Sequence, residues 1–534
     1  MKSSRRLSSV PSSLVVFVAL ACGCDSKESR NQSGDDPTAS TTSVPGPATA
    51  PLTAADIVLE PAPYRDVWES HYLEGSKIGY SHTTHTRGKL NGEPIVRIEQ
   101  LSRVAVLRDG QKVEQMSTIV SFETESGEVR RFESTAVEGP TPKVILGTVK
   151  GGEATYSIVT GMKSTSHTIP WPAGTRGPLA LTDELMLRPM RPGETREIST
   201  FAMPLNVIAR TTLAAKTSES AQLGAESRTL LRIEASTLFE GNFKIPATYW
   251  VDESGDALRS EMTIGNLKLV AVRATAAGAV AKEDSDNPQV DLGRSTMVKL
   301  ASPLAGGHKT TLVRYRVAIS GADAAATLPS NEYQTVKKLD GGAAEVTVAA
   351  VRPETPLPAG YKSIPATLPD VSANTLVQSD DPTIIALSKS GVGGETETWA
   401  KAKALETYVN EFMTTTEFSP AYATALDTAK SHKGDCTEYA VLLCALLRAA
   451  GIPARGAIGL VYVEPKEAFQ YHMWVEAYIG DRWIGLDATR GAGGLSGGYL
   501  KIADATFDPK NLYAGMMSIF NVVGRLKVEV LEAK

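Results

Sequence analysis

Closely spaced turn signals are the feature that most constrains the fold of residues 61–280. Asn-Gly at 91–92, Asp-Gly at 109–110 and Ser-Gly at 126–127 are typical of tight turns between strands. Apolar and polar residues alternate or nearly alternate in the runs around them, as over 101–106. Because helix signals are few here, we expect residues 61–280 to form an antiparallel β-rich domain.

A second β-like segment covers residues 285–375. The runs at 311–317 and 344–348 have strand composition, whereas several prolines between 353 and 365 mark a loop-rich connection. We therefore expect a small sandwich-like module that ends in a linker.

The pattern changes to mixed helix and strand from residue 376. Asp381 followed by Pro382 indicates a helix start with proline in the first turn, and apolar residues then recur at helical spacing over 402–412. A last strand is predicted at 526–531. A chain of 534 residues is too long for one ordinary core, so we predict a multidomain protein with an α+β C-terminal domain at 376–534.

The first 24 residues are predicted to be an export signal. Basic residues precede a short apolar run at 14–21, which is too short to span a bilayer. The segment resembles a bacterial lipoprotein signal, with Cys22 as the lipidated residue and Cys24 as the alternative. An ordinary secretory signal is the other interpretation. Residues 25–60, rich in Ser, Thr, Pro, Gly and Ala, are predicted to be a disordered tether. We expect an exported protein, lipid-anchored to a membrane in the cell envelope or periplasm, or else secreted.

Charge and cysteine content exclude several classes of protein. The net charge of −5 gives no basic footprint for nucleic acid. The four cysteines form neither a disulfide framework nor a zinc motif, and we expect no metal and no other cofactor. His71, His82 and His85 are predicted to be exposed strand positions, and the last two to face opposite sides.

Cys436 is the candidate nucleophile. It follows Gly-Asp and begins a run with one apolar face that ends at Gly451. The first turn of a helix favours negative charge because its backbone N–H groups are unpaired, and a thiolate is the reactive form of cysteine. Cys444, eight residues later in the same helix, is predicted to be a core residue.

His472 and Asp487 are the candidate base and its orienter. Residues 471–479 and 482–487 are predicted strands joined by a turn at 480–481. In such a hairpin residue 472 pairs near residue 489, so Asp487 lies on the same face within diagonal reach. A Cys, His and Asp series of this kind is typical of a thiol nucleophile with its base and the group that orients the base.

Four motifs give this region a resemblance to the bacterial transglutaminase-like superfamily. They lie at 434–436, 448–455, 472–476 and 483–489; Ala488 departs from the pattern, since the family commonly has proline there. The resemblance implies a papain-like core, a Cys436-His472-Asp487 triad and an oxyanion hole that includes the Cys436 N–H. It also implies acyl transfer on protein or peptide carboxamides through a thioester, ending in cross-linking, deamidation or peptide hydrolysis. The alternative is a non-catalytic binding or assembly module that keeps the fold.

Other polar and aromatic residues near the triad receive structural roles. Trp474 and Trp483 are predicted to be core aromatics, and Glu476 to pair with Arg455 or Arg490. His432 is predicted to lie in a solvated loop.

Overall fold

A computed structural model describes residues 57–534, with gaps at 138–140, 162, 204, 240–242, 282–288, 416–422, 506 and 509–513. The predicted signal at 1–24, with Cys22 and Cys24, and nearly all of the predicted tether lie outside the described residues. The tether prediction is wrong for its last residues, because Ile57–Leu59 is a strand that pairs with residues 88–90. Within the described residues no helix combines the length and apolarity needed to cross a membrane.

In the described part of the chain, one antiparallel sheet of fifteen strands occupies the N-terminal region. Most strands pair with their neighbours in sequence, as expected for hairpins joined by two-residue turns. The turns at 91–92 and 109–110 have positive φ at both residues, so the signals predicted there are confirmed. The strands are β1 Ile57–Leu59, β2 Arg65–Leu73, β3 Ser76–Leu90, β4 Glu93–Arg108, β5 Gln111–Glu123, β6 Val129–Val137, β7 Lys143–Lys150, β8 Glu153–Thr160, β9 Lys163–Pro170, β10 Thr195–Ala202, β11 Val207–Leu223, β12 Glu226–Leu238, β13 Lys244–Val251, β14 Ala257–Ile264 and β15 Leu267–Ala274.

The sheet curls so that strands distant in its order share one apolar core. β9 and β10 are its two terminal strands, yet the rings of Phe132 on β6 and Phe201 on β10 are 4.8 Å apart. Trp171, which follows β9, packs against both rings. Burial of these aromatic rings therefore holds the two ends of the sheet together.

Two of the three N-terminal histidines contradict their predicted exposure. His71 and His85 are buried, and His85 Nε2 lies 3.0 Å from a carboxylate oxygen of Asp183. His82 is on the other face, stacked on Trp68, so the predicted opposition of 82 and 85 is correct. The error arose because the sheet curls and encloses polar side chains on its inner face, which strand parity alone does not reveal.

Residues 285–375 do not form a separate sandwich. Their strands β17 Leu312–Ile319, β18 Gln334–Lys338 and β19 Ala344–Ala349 make a four-stranded sheet with the last strand of the chain, β24 Leu526–Ala533. The short β16 Val298–Lys299 instead joins a five-stranded sheet with β20 Ala454–Val463, β21 Ala468–Tyr478, β22 Trp483–Leu486 and β23 Tyr499–Ala505. Long-range pairing of β17 with β24 gives no local sequence signal, which explains the difference.

The predicted helices of the C-terminal region are present. The Asp381 side chain accepts the Thr383 N–H at 2.8 Å and caps the helix that begins at Pro382. The antiparallel β-rich region followed by an α+β domain confirms the predicted fold class. The helices are α1 Ala180–Leu187, α2 Ala276–Val280, α3 Leu292–Ser295, α4 Ala324–Thr327, α5 Leu368–Val371, α6 Pro382–Val392, α7 Thr398–Phe412, α8 Ala425–Ser431, α9 Cys436–Ala449 and α10 Ala514–Phe520, with 3-10 turns at Gly307–Lys309, Asp340–Gly342 and Glu464–Lys466.

Candidate active site

Cys436 is the first residue of α9. Asp435 caps this helix, with its carboxylate accepting the Thr437 N–H at 2.8 Å. Glu438 accepts the Asp435 N–H in return at 2.9 Å, which completes a capping box. The thiol is therefore placed at the positive end of the helix dipole.

His472 lies on β21 and Asp487 directly follows β22. Val475 pairs with Leu486 in the antiparallel register, which brings His472 and Asp487 to the same face. His472 Nε2 is 2.8 Å from Asp487 Oδ2, and His472 also forms a hydrogen bond with the Cys436 side chain. The three candidate residues thus converge from a helix start, a strand and a strand end.

Two neighbours fix the Asp487 carboxylate, and a third fixes its backbone. Tyr499 on β23 donates its hydroxyl to Oδ2 at 2.7 Å, and the Thr489 hydroxyl and N–H donate to Oδ1. On the backbone side, Asp487 N–H donates to Glu406 of α7 at 2.7 Å. With every one of these groups buried or half-buried, the orienter has little freedom to leave the histidine.

The electrostatics favour a charged imidazole. Burial lowers the pKa of His472, but the charges of Asp487 and Cys436 and the hydrogen bonds to both outweigh it and hold this pKa well above its usual range. Burial raises the pKa of Asp487. The charge of His472 and the hydrogen bonds from His472, Tyr499 and Thr489 outweigh burial and lower this pKa to about 2. The arrangement can therefore hold a proton on His472 at neutral pH.

The triad is enclosed. Cys436, His472 and Asp487 are 0%, 2% and 3% exposed. A molecule from solvent can reach the thiol only after some neighbouring segment moves.

Beside the triad, Glu476 anchors a separate buried ionic network. Its carboxylate accepts from Arg455 Nε at 2.9 Å and from Lys501 Nζ at 2.6 Å. The Tyr333 hydroxyl from the middle segment also donates to it, at 2.7 Å. Of the two predicted partners, Arg455 is the one that pairs. These contacts assign Glu476 a structural role and join the middle segment to the site.

The remaining predicted residues lie outside the triad. Trp474 and Trp483 are buried core aromatics, and Cys444 is buried in α9. Burial raises the pKa of Cys444 to about 11, so it is a poor nucleophile at neutral pH. His432 ends α8, with its ring stacked on Phe412 at 4.0 Å, and is half-buried rather than fully solvated.

Tyr499 and Glu406 were not identified from the sequence. Both contact Asp487 from elements far away along the chain, and neither belongs to a local motif. The one sequence signal that could have identified Glu406 is an acidic residue among the apolar positions of α7, because buried acids are rare unless they are paired.

In the described residues, no cluster of three or more His, Cys, Asp or Glu side chains is arranged to hold a metal.

Solved structures of low similarity include "a Putative Cysteine Protease from Cytophaga hutchinsonii", with 19% identity over 41% of this chain and 82% of that one, and a TM-score of 0.27. A "Beta-barrel-like Protein of Domain of Unknown Function DUF1849 from Brucella abortus" has 11% identity over 39% and 96%, with a TM-score of 0.29. "A Putative Protease from Parabacteroides distasonis" has 12% identity over 75% and 70%, with a TM-score of 0.17. No curated protein matches the chain significantly.

A family match falls on the domain that contains the site. The transglutaminase-like superfamily matches residues 385–488, a range that includes Cys436, His472 and Asp487. The C-terminal region of this chain therefore contains a domain that belongs to the transglutaminase-like superfamily.

Proposed function

We propose that this protein is a thiol-dependent acyl-transfer enzyme that acts on protein or peptide carboxamides. The observation that carries the proposal is the hydrogen-bonded series from Cys436 through His472 to Asp487, with 2.8 Å between the imidazole and the carboxylate. A thiol at a helix start, a base and an orienter are the parts that acyl transfer needs.

In the first step, the Cys436 thiolate attacks the carboxamide carbon. The C–S bond forms, the C–N bond breaks, and the leaving amine or ammonia takes the proton from the His472 imidazolium. The Cys436 N–H at the α9 start supplies one donor to the oxyanion. Water or a second amine, deprotonated by His472, then attacks the thioester, and the C–S bond breaks to restore the thiolate.

The product depends on the acceptor. Water gives deamidation of a glutamine side chain or hydrolysis of a peptide bond, and an amine gives a cross-link. Enclosure of the thiol, which is 0% exposed, favours a reaction in which substrate binding accompanies the opening of the site.

A thioester trap tests this proposal. The wild-type chain, incubated with glutamine-containing peptides, should release ammonia and accumulate an acyl adduct at Cys436 detectable by mass spectrometry. Cys436→Ala should lose both signals and His472→Ala most of the rate, whereas Cys444→Ala serves as a matched thiol control with activity retained. Ammonia release that persists in Cys436→Ala would reject the thiol mechanism.

The second candidate is a non-catalytic binding or assembly module, and the enclosed triad is the observation that favours it. The two candidates differ in thiol chemistry. A Cys436 that alkylates no faster than a free cysteine near neutral pH, and that is indifferent to His472→Ala, would support the binding module.

We also propose that the protein is exported and lipid-anchored in the cell envelope, on the strength of the N-terminal sequence alone. Lipid labelling and membrane fractionation should fail for Cys22→Ser and persist for Cys24→Ser. The reverse result would identify Cys24 as the lipidated residue, and a soluble, secreted wild type would reject the anchor.

A further inference from the structure

The turn between β4 and β5 is held against the C-terminal half of the chain. Asp109 and Gly110 form this turn, and their N–H groups donate to the Asp291 carboxylate at 3.0 and 2.9 Å. Arg108, the last residue of β4, is buried, with its side chain only 1% exposed. This hairpin tip, residues 108–110, therefore makes an internal contact through Arg108 and Asp109, whereas Gly110 is exposed.

The hairpin tip contacts the helix that begins with the nucleophile. Arg108 Nη1 lies 3.0 Å from Asp435 Oδ2, and the Asp435 side chain is 0% exposed. Asp435 is both the cap of α9 and the residue directly before Cys436. An ion pair this deeply buried is sensitive to loss of either partner, because the remaining charge has no solvent to stabilise it.

The same tip also contacts the strand that carries the base. Asp109 accepts hydrogen bonds from Gln470 Nε2 at 2.5 Å and from Lys466 Nζ at 2.7 Å. Gln470 is two residues before His472 on β21, and its side chain is on the same face of that strand. One turn of the N-terminal sheet thus contacts both elements that must align for the proposed reaction.

We infer that this hairpin tip is part of the active site of the C-terminal domain, and that Arg108 is a positioning and charge-balancing residue for Cys436 through Asp435. The inference rests on the proposed function. A carboxylate beside a thiol disfavours the thiolate by like-charge repulsion. The guanidinium of Arg108 compensates the Asp435 charge and keeps the helix cap in place.

None of the other groups described near Cys436 supplies a positive charge to Asp435, so we assign this charge compensation to Arg108. Glu438 lies on the same helix, but burial and the Asp435 charge raise its pKa well above the usual range, which favours its neutral form. From the sheet side, His472 faces Cys436 with Asp487 behind it. Asp435 itself accepts from the N–H and hydroxyl of Thr437, neither of which carries charge.

The test is the pH midpoint of Cys436 alkylation by iodoacetamide in the full chain, located by mass spectrometry. Arg108→Met should raise this midpoint by about one pH unit, which lowers the rate below the midpoint about tenfold. Asp435→Asn keeps the helix cap but leaves the cation uncompensated, so the midpoint should fall. The double variant should return towards the wild-type midpoint, and Arg108→Lys should retain it.

Arg103→Met is the matched control on the same hairpin. It breaks a partly exposed ion pair with Glu114 at 2.7 Å, five residues before Arg108 along β4, and should leave the midpoint unchanged. An unchanged midpoint in folded Arg108→Met, or equal shifts in the single and double variants, would overturn the inference. If Arg108→Met fails to fold, the alkylation midpoint of Asp435→Asn decides the question. A midpoint that rises or does not change in Asp435→Asn would then reject the inference.

The two proposals fail in different ways. A wild-type midpoint like that of free cysteine, unmoved by His472→Ala, would remove the proposed function. A low midpoint that depends on His472 but not on Arg108 or Asp435 would remove only the role of the hairpin tip.

Discussion

At the scale of single residues, the base depends on one carboxylate. Asp487 has its pKa lowered to about 2 and helps to hold that of His472 well above its usual range. Asp487→Asn keeps the shape but removes the charge, so the pKa of His472 should fall and the Cys436 alkylation midpoint should rise. The measurement is alkylation rate against pH. Asp481→Asn, in the exposed turn where φ is +61°, is the control and should behave as wild type.

The same ion pair gives the folded state a pH dependence with two limits. The raised His472 pKa stabilises the fold fully below the ordinary value near ~6.5, and this contribution is lost as pH rises through the folded-state pKa. The lowered Asp487 pKa stabilises the fold above the ordinary value near ~3.9, and this is lost as pH falls towards about 2. The urea midpoint of the wild type should therefore fall at both the acidic and the alkaline end of the pH range. In Asp487→Asn the urea midpoint should depend less on pH. An identical profile in both proteins would contradict the coupling.

Sequence reasoning brought the candidate residues together where chemistry and strand parity agree, and the structure places His472 Nε2 2.8 Å from Asp487, while their catalytic role stays a prediction. Motif order singled out Cys436 and His472, and the two-residue strand period placed Asp487 on the same face as His472. The sequence did not identify Tyr499, Glu406 or Arg108 as site residues. Each lies on an element distant along the chain, so its partners are determined by tertiary contact and not by sequence spacing.

At the scale of elements, the approach to α9 requires glycine at position 434. A β-carbon there would lie 2.3 Å from Glu438 Cβ, within the capping box that starts the helix. Gly434→Ala should force Glu438 or the chain to shift, which costs about 1–3 kcal/mol and slows Cys436 alkylation. Urea denaturation and alkylation rates test this. Gly394→Ala, where nothing lies within 4 Å, should change neither quantity.

Element boundaries in the C-terminal domain were predictable because the caps are local. Asp381 with Pro382, and Asp435 before Cys436, mark helix starts by their own hydrogen bonds. By contrast, β17 and β24 form one pair although more than two hundred residues separate them. A sequence pattern predicts that each is a strand but not which strand is its partner.

At the scale of the whole molecule, the N-terminal sheet encloses acids whose ionisation opposes folding. Burial raises the pKa of Glu123 to about 7, although a hydrogen bond from Ser121 lowers it. Between about pH 4.3 and 7 the folded state holds a proton that the unfolded state releases, so this group's contribution to stability falls as pH rises, by about 1.4 kcal/mol per pH unit. Glu123→Gln should reduce that slope in urea titrations, whereas exposed Glu128→Gln should not. Equal slopes in the two variants would reject the assignment.

The last strand ties the middle segment to the transglutaminase-like domain, so the two should unfold together. β24 pairs with β17, and Tyr315 of β17 donates its hydroxyl to the Gly497 carbonyl at 2.7 Å. Val528 and Leu531 lie on opposite faces of β24, 6% and 43% exposed. Val528→Asp buries an unpaired charge, which costs several kcal/mol, whereas Leu531→Asp should cost far less.

Tryptophan fluorescence during urea denaturation distinguishes a shared core from independent modules once Trp68, Trp171, Trp250 and Trp399 are replaced by phenylalanine. The remaining signal then comes from Trp474 and Trp483, which are buried in the C-terminal domain. In Val528→Asp their unfolding transition should move to lower urea together with the loss of β-sheet circular dichroism, and Leu531→Asp should leave both nearly in place. A tryptophan transition that stays at the wild-type midpoint in Val528→Asp would show that the middle module folds alone. The shared apolar core, which runs from Val313 and Val528 to Cys436 and Trp474, is the physical reason to expect one transition.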